Sequence, residues 1–263
     1  MTAIEKVIGT ATSEIGYIEK KSNSSLDDKT ANAGSGNWTK YARDLDNLGN
    51  VYNGKKNGYA WCDIFVDWCF ITTFGLEIGM KLLCQPYNGA GAGCTYSAQY
   101  YKNKGQFHAK NPQPGDQVFF TNDGGKTSNH TGLVVKVDSS KVYTIEGNTS
   151  SAAGVVANGG CVRDKSYSLT YAKIMGYGRP DWSIVLENEE KQKESEGDEM
   201  QTYEQWKKYM YRYRKEQAEL AAPSWSEKEL AEAIAAGITD GTRPQDFPSR
   251  VEAAIMALRA AKK

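Results

Sequence analysis

The sequence predicts an α+β fold, in which helices come first, an antiparallel β-sheet follows and a small all-α module ends the chain. In the first hundred residues, apolar side chains recur at the spacing of one helix face. From about residue 112 to residue 182 they form short runs separated by turn residues, which is typical of strands. Helices and strands in separate blocks, rather than in alternation, indicate an α+β arrangement.

The helices of the first half are read from their spacing and their ends. Residues 1–20 carry apolar side chains on one face and predict a first helix, which a polar, glycine-rich stretch follows. A second helix is predicted to begin near Cys62 and to end at Gly75, because glycine commonly closes a helix. A third helix is predicted over Ser97 to Lys104.

The strands follow the turn PQPGD. We predict them in five short runs: QVFFT, HTGLVVKVD, KVYTIEGN, GGCVRD and KIMGYGRP. The later stretch ENEEKQKESEGDEM is dominated by charge and cannot build a core, so it is interpreted as a linker. Helical patterns resume after Gln201.

Composition favours two domains and excludes some partners. A chain of 263 residues with 40% hydrophobic residues can bury a core of about 150 to 200 residues and carry a second module. We expect a main domain over 1–182, a charged linker over 183–200 and a helical module over 201–263. The 32 basic and 32 acidic residues form no basic cluster, which argues against nucleic acid as a partner.

Hydropathy bears on where the protein works. No apolar run approaches the roughly 18 residues that a membrane span needs, which argues against a membrane partner. The first residues carry charges where a signal peptide would have its apolar stretch. We therefore expect synthesis in the cytoplasm without a signal peptide.

Cys62 is the first candidate for chemistry, because it lies at the predicted start of a helix. Backbone N–H groups and the positive end of the helix stabilise a thiolate at that position. The alternative is that Cys62 is a small buried hydrophobe, an interpretation that fits Cys69 on the same helix. The chain has five cysteines without paired CxxC spacing, so at least one thiol of a monomer is unpaired. Cys84 and Cys94 flank a glycine-rich loop and could approach each other as a disulfide pair outside the cell.

His130 is the candidate base, because it opens a predicted strand, whereas His108 lies in a predicted loop. A thiol nucleophile needs a base whose pKa is close to neutral. The next strand carries Glu146 and Asn148, which alternation places on one face. Either side chain could accept the second ring N–H of His130, as the third member of a triad does. The alternative is a solvent-facing Glu/Asn pair.

Papain-like hydrolases have this layout: the nucleophile lies on a helix, the base on a strand and the residue that orients the base on the next strand. The residues resemble the CHAP family of cysteine amidohydrolases and peptidases, common in endolysins of phages that infect Gram-positive bacteria. The resemblance covers residues 1–182. Its matching pieces are WC-x-x-FV-x-W around Cys62, PGD-x-V-x-F from Pro114 to Phe119, H-x-G-x-V at His130 and E-G-N from Glu146 to Asn148.

That resemblance implies Cys62 as nucleophile, His130 as general base, Glu146 as the residue that orients the ring and Asn148 as a fourth polar member. It implies peptidoglycan as the substrate, reached after release from the cell that makes the protein. The bond cut would be the amide between N-acetylmuramic acid and L-alanine, or a peptide bond of the stem or cross-bridge. The alternatives are a cysteine peptidase or amidase acting on protein, and an inert wall-binding protein.

Two further expectations concern the segment before the nucleophile. Some CHAP relatives hold calcium with acidic residues there, and Asp44 and Asp46 are the calcium candidates; a solvated loop is the alternative. The chemistry itself requires no cofactor. Trp38, Tyr59 and Trp61 are candidate walls of a substrate groove, with core packing as the alternative.

The tail from residue 223 to residue 260 carries a tryptophan in its first predicted helix, an A-I-x-x-G-I-x-x-G turn, an F-P pair at Phe247 and Pro248 and an S-R-x-E start of its last helix. With these features it resembles a single S-layer homology motif. Families with that motif bind secondary cell-wall polymers, so the tail is expected to bind the wall. The alternative is a helical hairpin that docks or oligomerises. Trp206, Tyr209, Met210 and Tyr213 share one helix face, which suits either use. Glu-Gly codons before Met200 could direct an internal start, giving a fragment 200–263 that associates with the full chain.

Overall fold

The computed structural model describes residues 1–242, 245 and 250–261, without the side chains of 189–202 and 250–251. The chain divides into two compact units, Met1–Asn188 and Glu189–Lys263. The first unit contains five helices and six strands among the described residues, which confirms the predicted α+β class.

The helices of the first unit precede its strands. They are α1 (Ala3–Ser13), α2 (Lys40–Leu48), α3 (Cys62–Phe74), α4 (Leu76–Leu82) and α5 (Cys94–Asn103). Helix α3 is the central one, because every residue from Cys62 to Ile71 is buried. It ends before Gly75, as predicted, and the Gly75 N–H donates to the Ile71 carbonyl oxygen.

The strands form one antiparallel sheet. They are β1 (Phe107–His108), β2 (Gln117–Phe120), β3 (His130–Val137), β4 (Lys141–Thr149), β5 (Cys161–Ser168) and β6 (Ile174–Gly178), in the order β1-β6-β2-β3-β4-β5. Each of the five predicted runs overlaps one of these strands, although β4 extends one residue beyond its run, to Thr149, and β5 extends four residues beyond its run, to Ser168. His108 was expected in a loop, and its assignment was wrong, because it pairs with Tyr177 on the neighbouring strand.

The core forms where α3 packs on the middle of the sheet. Phe65 from the helix belongs to the same buried cluster as Leu133 of β3 and Ile145 of β4. The next residue of β3, Val134, belongs to a second cluster with Phe120, because successive strand residues point to opposite faces. Helix α3 is therefore held against β3 and β4, the strands on which the candidate base and its partner lie.

Several helix boundaries differ from the prediction. The first helix ends at Ser13 rather than continuing to residue 20. Helix α2 lies in the stretch that was interpreted as polar, where the Thr39 side chain caps its start and Gly49, at φ 81°, closes its end. Helix α5 begins at Cys94 rather than Ser97, because Gly93 is extended and the helix starts directly after it.

The chain continues into helix α6 (Ser183–Glu219), a 3₁₀ turn (Ser224–Ser226), α7 (Glu227–Ala235) and α8 (Arg250–Ala261). The stretch interpreted as a linker lies within α6, and the domain boundaries stay a prediction. Phe247 and Pro248 of the S-layer-like motif lie outside the described residues. Across the described part of the chain, no helix combines the length and apolarity that crossing a membrane requires.

Candidate active site

The nucleophile candidate, Cys62, is the first residue of α3 and is 5% exposed. The residue before it, Trp61, makes no side-chain hydrogen bond to the helix start. The first amides of α3 are thus not capped by Trp61, and the neighbouring Asp63 N–H contributes to lowering the pKa of the Cys62 thiol. A thiolate at this position is stabilised by a backbone donor and by the positive end of the helix.

The base candidate, His130, is fully buried at the start of β3. Its Nε2 atom lies 2.9 Å from Oε2 of Glu146 on β4. The other carboxylate oxygen of Glu146 accepts a hydrogen bond of 2.6 Å from the Thr144 hydroxyl. The Phe120 ring stacks on the imidazole with a centroid distance of 5.9 Å. The ring is therefore oriented by one carboxylate and one aromatic face.

The remaining ring nitrogen of His130 is available to Cys62. Because Nε2 is held by Glu146, this nitrogen is Nδ1, which has no hydrogen-bond partner elsewhere in the described part of the chain. Burial opposes a charged ring, but the interactions with Cys62 and Glu146 outweigh it and raise the pKa of His130 from 6.5 to about 9.

A second thiol accompanies Cys62. The Sγ atoms of Cys62 and Cys94 lie 3.5 Å apart. Contact with Cys94, with further contributions from His130 and the Asp63 N–H, holds the pKa of Cys62 well below its usual range, against the effect of burial. The raised pKa of His130 and the lowered pKa of Cys62 favour a thiolate–imidazolium pair at neutral pH.

Asn148 lies close in sequence to Glu146 but makes different contacts. The pairing of β4 with β5 shifts between Glu146 and Thr149, and Asn148 adopts φ 53°. This irregularity interrupts the alternation on which the sequence argument relied. The Asn148 Oδ1 atom accepts from the Gly160 N–H at 3.2 Å, while its buried Nδ2 has no partner among the described residues. Glu146, rather than Asn148, holds the His130 ring.

The aromatic residues expected to line a groove divide into two groups. Trp61 is fully buried and donates from Nε1 to Glu19 at 2.8 Å, so its assignment as a groove wall was wrong. The reason is tertiary packing, since Tyr17 and Tyr41 enclose its ring. Tyr59 is 64% exposed and Trp38 is partly exposed, so both remain accessible to a substrate.

The calcium candidates are occupied by hydrogen bonds within the protein. Asp44 accepts from the Trp68 Nε1 atom at 2.9 Å and also pairs with Arg43. Asp46 accepts from two backbone amides of the segment before Cys62, at 2.8 and 3.0 Å. Among the described residues, no group of three or more His, Cys, Asp or Glu side chains could hold a metal ion. Asp44 thus joins α2 to α3, and Asp46 joins α2 to the loop before Cys62.

Asp63, directly after the candidate nucleophile, was not singled out from the sequence. It is fully buried, and its carboxylate accepts from Ser97 Oγ at 2.6 Å and from Gln117 Nε2 at 2.9 Å. Burial raises its pKa from 3.8 to about 7 despite these donors. Thr144 and Cys94 were also missed. A second cysteine directly after a glycine-rich stretch was the available signal for Cys94.

Cys84 and Cys94, which could have formed a disulfide, contact other residues instead. All five cysteines are free, Cys94 contacts Cys62, and the Cys84 thiol donates to the Gln106 side chain. Cys84 lines a cavity of about 640 Å³ beside α4, and none of Cys62, His130 and Glu146 lines it. Burial raises the pKa of Cys84 to about 11, so its thiol is unreactive at neutral pH.

Comparison with known proteins assigns part of this unit. The model of the CHAP domain matches residues 54–148, a segment that contains Cys62, His130, Glu146 and Asn148. No curated protein sequence matches the chain. The CHAP match supports a hydrolase of the cysteine- and histidine-dependent amidohydrolase or peptidase type.

Proposed function

We propose that the protein is a peptidoglycan hydrolase of the endolysin type, which cuts an amide bond of the bacterial cell wall. The observation that carries the proposal is the placement of Cys62 beside His130, whose ring is held by the Glu146 carboxylate at 2.9 Å. The CHAP match supports the type of reaction. The wall as substrate follows from the resemblance to endolysins.

In the proposed reaction, the Cys62 thiolate attacks the amide carbonyl carbon. The oxyanion that develops accepts hydrogen bonds from backbone N–H groups at the start of α3, including that of Cys62. His130 gives its Nδ1 proton to the leaving amine, and a thioester on Cys62 remains. His130 then takes a proton from water, which attacks the thioester and releases the carboxylate. The thiolate and imidazolium supply the nucleophile and the acid, so this sequence needs no cofactor.

Glu146 keeps the ring in the tautomer that this sequence needs. Its carboxylate accepts a hydrogen bond from the Nε2–H group and stays ionised, which leaves Nδ1 as the ring nitrogen that exchanges the proton throughout the cycle. The partly exposed Trp38 and the exposed Tyr59 lie in the segment before Cys62 and offer aromatic surfaces for a sugar–peptide strand.

Digestion of purified sacculi tests the proposal. Mass spectrometry of the released fragments distinguishes a new free N-terminal alanine, expected for cleavage of the N-acetylmuramoyl-L-alanine amide, from a cut within the stem or cross-bridge. Release of no fragments, together with cleavage of a protein substrate, would favour the alternative of a peptidase acting on protein. A heat-denatured sample of the same preparation is the control.

We further propose that the tail binds the wall, through a secondary polymer, after synthesis in the cytoplasm and release. The large exposed aromatic side chains of α6, including Trp206 at 56% and Tyr209 at 68%, support an interaction role. A fragment 200–263 from an internal start at Met200 would bind the full chain and multiply wall contacts. Intact-mass analysis of the native coding sequence's product tests this: a single full-length species would rule the fragment out.

A further inference from the structure

The thiols of Cys62 and Cys94 meet although 31 residues separate them in the chain. Each cysteine is the first residue of a helix, Cys62 of α3 and Cys94 of α5. Their Sγ atoms are 3.5 Å apart, and the two residues are 5% and 7% exposed. At this separation, one S–H group can donate to the other sulfur.

The surroundings decide which sulfur carries the charge. Cys62 lies beside His130 and next to the Asp63 N–H, and both neighbours lower the pKa of its thiol. The Cys62 sulfur, burial and the Asp63 side chain all raise the pKa of Cys94, so they disfavour a second negative charge at this site. The negative charge therefore resides on Cys62 and the proton on Cys94.

The first turn of α5 is fixed to both parts of the active site. On one side, the Ser97 hydroxyl donates to the Asp63 carboxylate at 2.6 Å, directly after the nucleophile. On the other side, Thr95 Oγ1 donates to the Ser128 carbonyl at 3.0 Å and accepts from the Ser128 N–H at 3.1 Å. Ser128 is two residues before the base. Cys94 is thus held between the nucleophile helix and the strand that carries the base.

We propose that Cys94 is a positioning residue for the nucleophile, whose S–H group donates a hydrogen bond to the Cys62 thiolate and so stabilises its reactive form. The inference deepens the proposed function, because it assumes that Cys62 is the nucleophile. Two consequences follow from the geometry. The donor stabilises the thiolate over the thiol, and it reaches the Cys62 sulfur from a different helix, α5, so the packing of α5 on α3 sets its position.

The pH dependence of Cys62 alkylation tests the proposal without any wall substrate. The full-length protein is treated with iodoacetamide over a range of pH, and the Cys62 peptide is quantified by mass spectrometry. Cys94→Ala removes the donor, so the midpoint for Cys62 should rise by about one to two pH units, the size expected for a hydrogen bond to a charged group. Cys94→Ser keeps a donor of similar size and should retain most of the wild-type midpoint.

Two controls make the outcome decisive. Cys84→Ala removes a different partly buried thiol of the same unit and should leave the Cys62 midpoint unchanged. Equal shifts in Cys94→Ala and Cys94→Ser would show that Cys94 only fills space, and no shift in either would show that it donates nothing; each result overturns the proposal. If Cys62 of the unmodified protein reacts no faster than Cys84, the thiolate itself is absent and the proposed function fails with it.

Discussion

Cys62 and Cys69 lie on the same helix, α3, and both are buried, at 5% and 0% exposure, yet their pKa values move in opposite directions. The Cys94 thiol, His130 and a backbone N–H surround Cys62 and lower its pKa. Burial and the carboxylates of Glu14 and Asp67 raise the pKa of Cys69. The difference shows that neighbouring donors and positive charge, rather than burial, decide whether the pKa of a buried thiol falls or rises.

The largest expected effect comes from removing the reactive thiol. Cys62→Ala should lower the rate of wall lysis by at least about a thousandfold, because the nucleophile is lost while the fold loses only one small side-chain atom. The measurement is the fall in turbidity of a sacculus suspension, with circular dichroism to establish folding.

Cys69→Ala is the matched control on the same helix. Its thiol is protonated and packed in the core, so the variant should keep most of its activity and lose on the order of 1 kcal/mol of unfolding free energy. Equal loss of activity in Cys62→Ala and Cys69→Ala would break the comparison, because both effects would then come from damage to α3.

The next effect concerns the group that orients the ring. Glu146→Gln should lower kcat about 10²- to 10⁴-fold with little change in wall affinity, since a neutral amide stabilises the protonated His130 ring poorly and can impose the wrong tautomer. Steady-state rates on soluble wall fragments and a pull-down with sacculi measure the two quantities separately.

Asn148→Ala provides the contrast, because its side chain holds the Gly160 backbone rather than the His130 ring. We expect a smaller loss of activity than in Glu146→Gln. A much larger loss in Asn148→Ala would mean that the orienting role belongs to Asn148.

The parts of this site that the sequence predicted depend on local signals. The start of α3 at Cys62, its end at Gly75 and the strands of His130 and Glu146 follow from spacing, a closing glycine and turn residues. Such signals act over a few residues, so they can be read from one segment of the chain at a time.

The parts that the sequence missed depend on contacts between distant segments. The role of Cys94 exists only where α5 meets α3, and the burial of Trp61 only where Tyr17 and Tyr41 enclose it. The irregularity at Asn148 requires the pairing of β4 with β5. None of these contacts leaves a periodic pattern in the sequence.

The pH dependence of activity tests whether the Cys62 thiolate is paired with a protonated His130. The reactive pair needs a protonated His130, whose pKa is raised to about 9, so kcat/KM should fall about tenfold per pH unit above pH 9. The raised pKa of His130 also stabilises the fold. This stabilisation is fully present below pH 6.5 and is lost as the pH rises through about 9. A rate that falls already near pH 6.5 to 7 would mean that His130 is not paired with a thiolate.

The last prediction concerns stability rather than activity, at Asp63, one residue beyond the candidate nucleophile. Its pKa is raised to about 7, so the folded protein holds a proton there that the unfolded chain releases near pH 3.8. This linkage makes the fold lose stability as the pH rises from about 4 to about 7, by up to about 4 kcal/mol. Asp63→Asn should remove that dependence, because an amide does not ionise.

The substitution can keep the local hydrogen bonds. The Asn oxygen can accept from Gln117, and its amide can donate to the Ser97 hydroxyl, which rotates freely. Urea unfolding between pH 4 and pH 8 measures the effect. Asp138→Asn is a control of opposite sign, since two backbone amides and the Tyr143 hydroxyl lower the pKa of Asp138. The stability that this carboxylate contributes is present above its unfolded pKa of 3.8 and is lost as the pH falls, so the variant should be less stable by a nearly constant amount between about pH 5 and pH 8. If wild type and Asp63→Asn lose stability in parallel from pH 4 to pH 7, the start of α3 carries no buried proton, and the thiolate of Cys62 must then coexist with a charged carboxylate beside it.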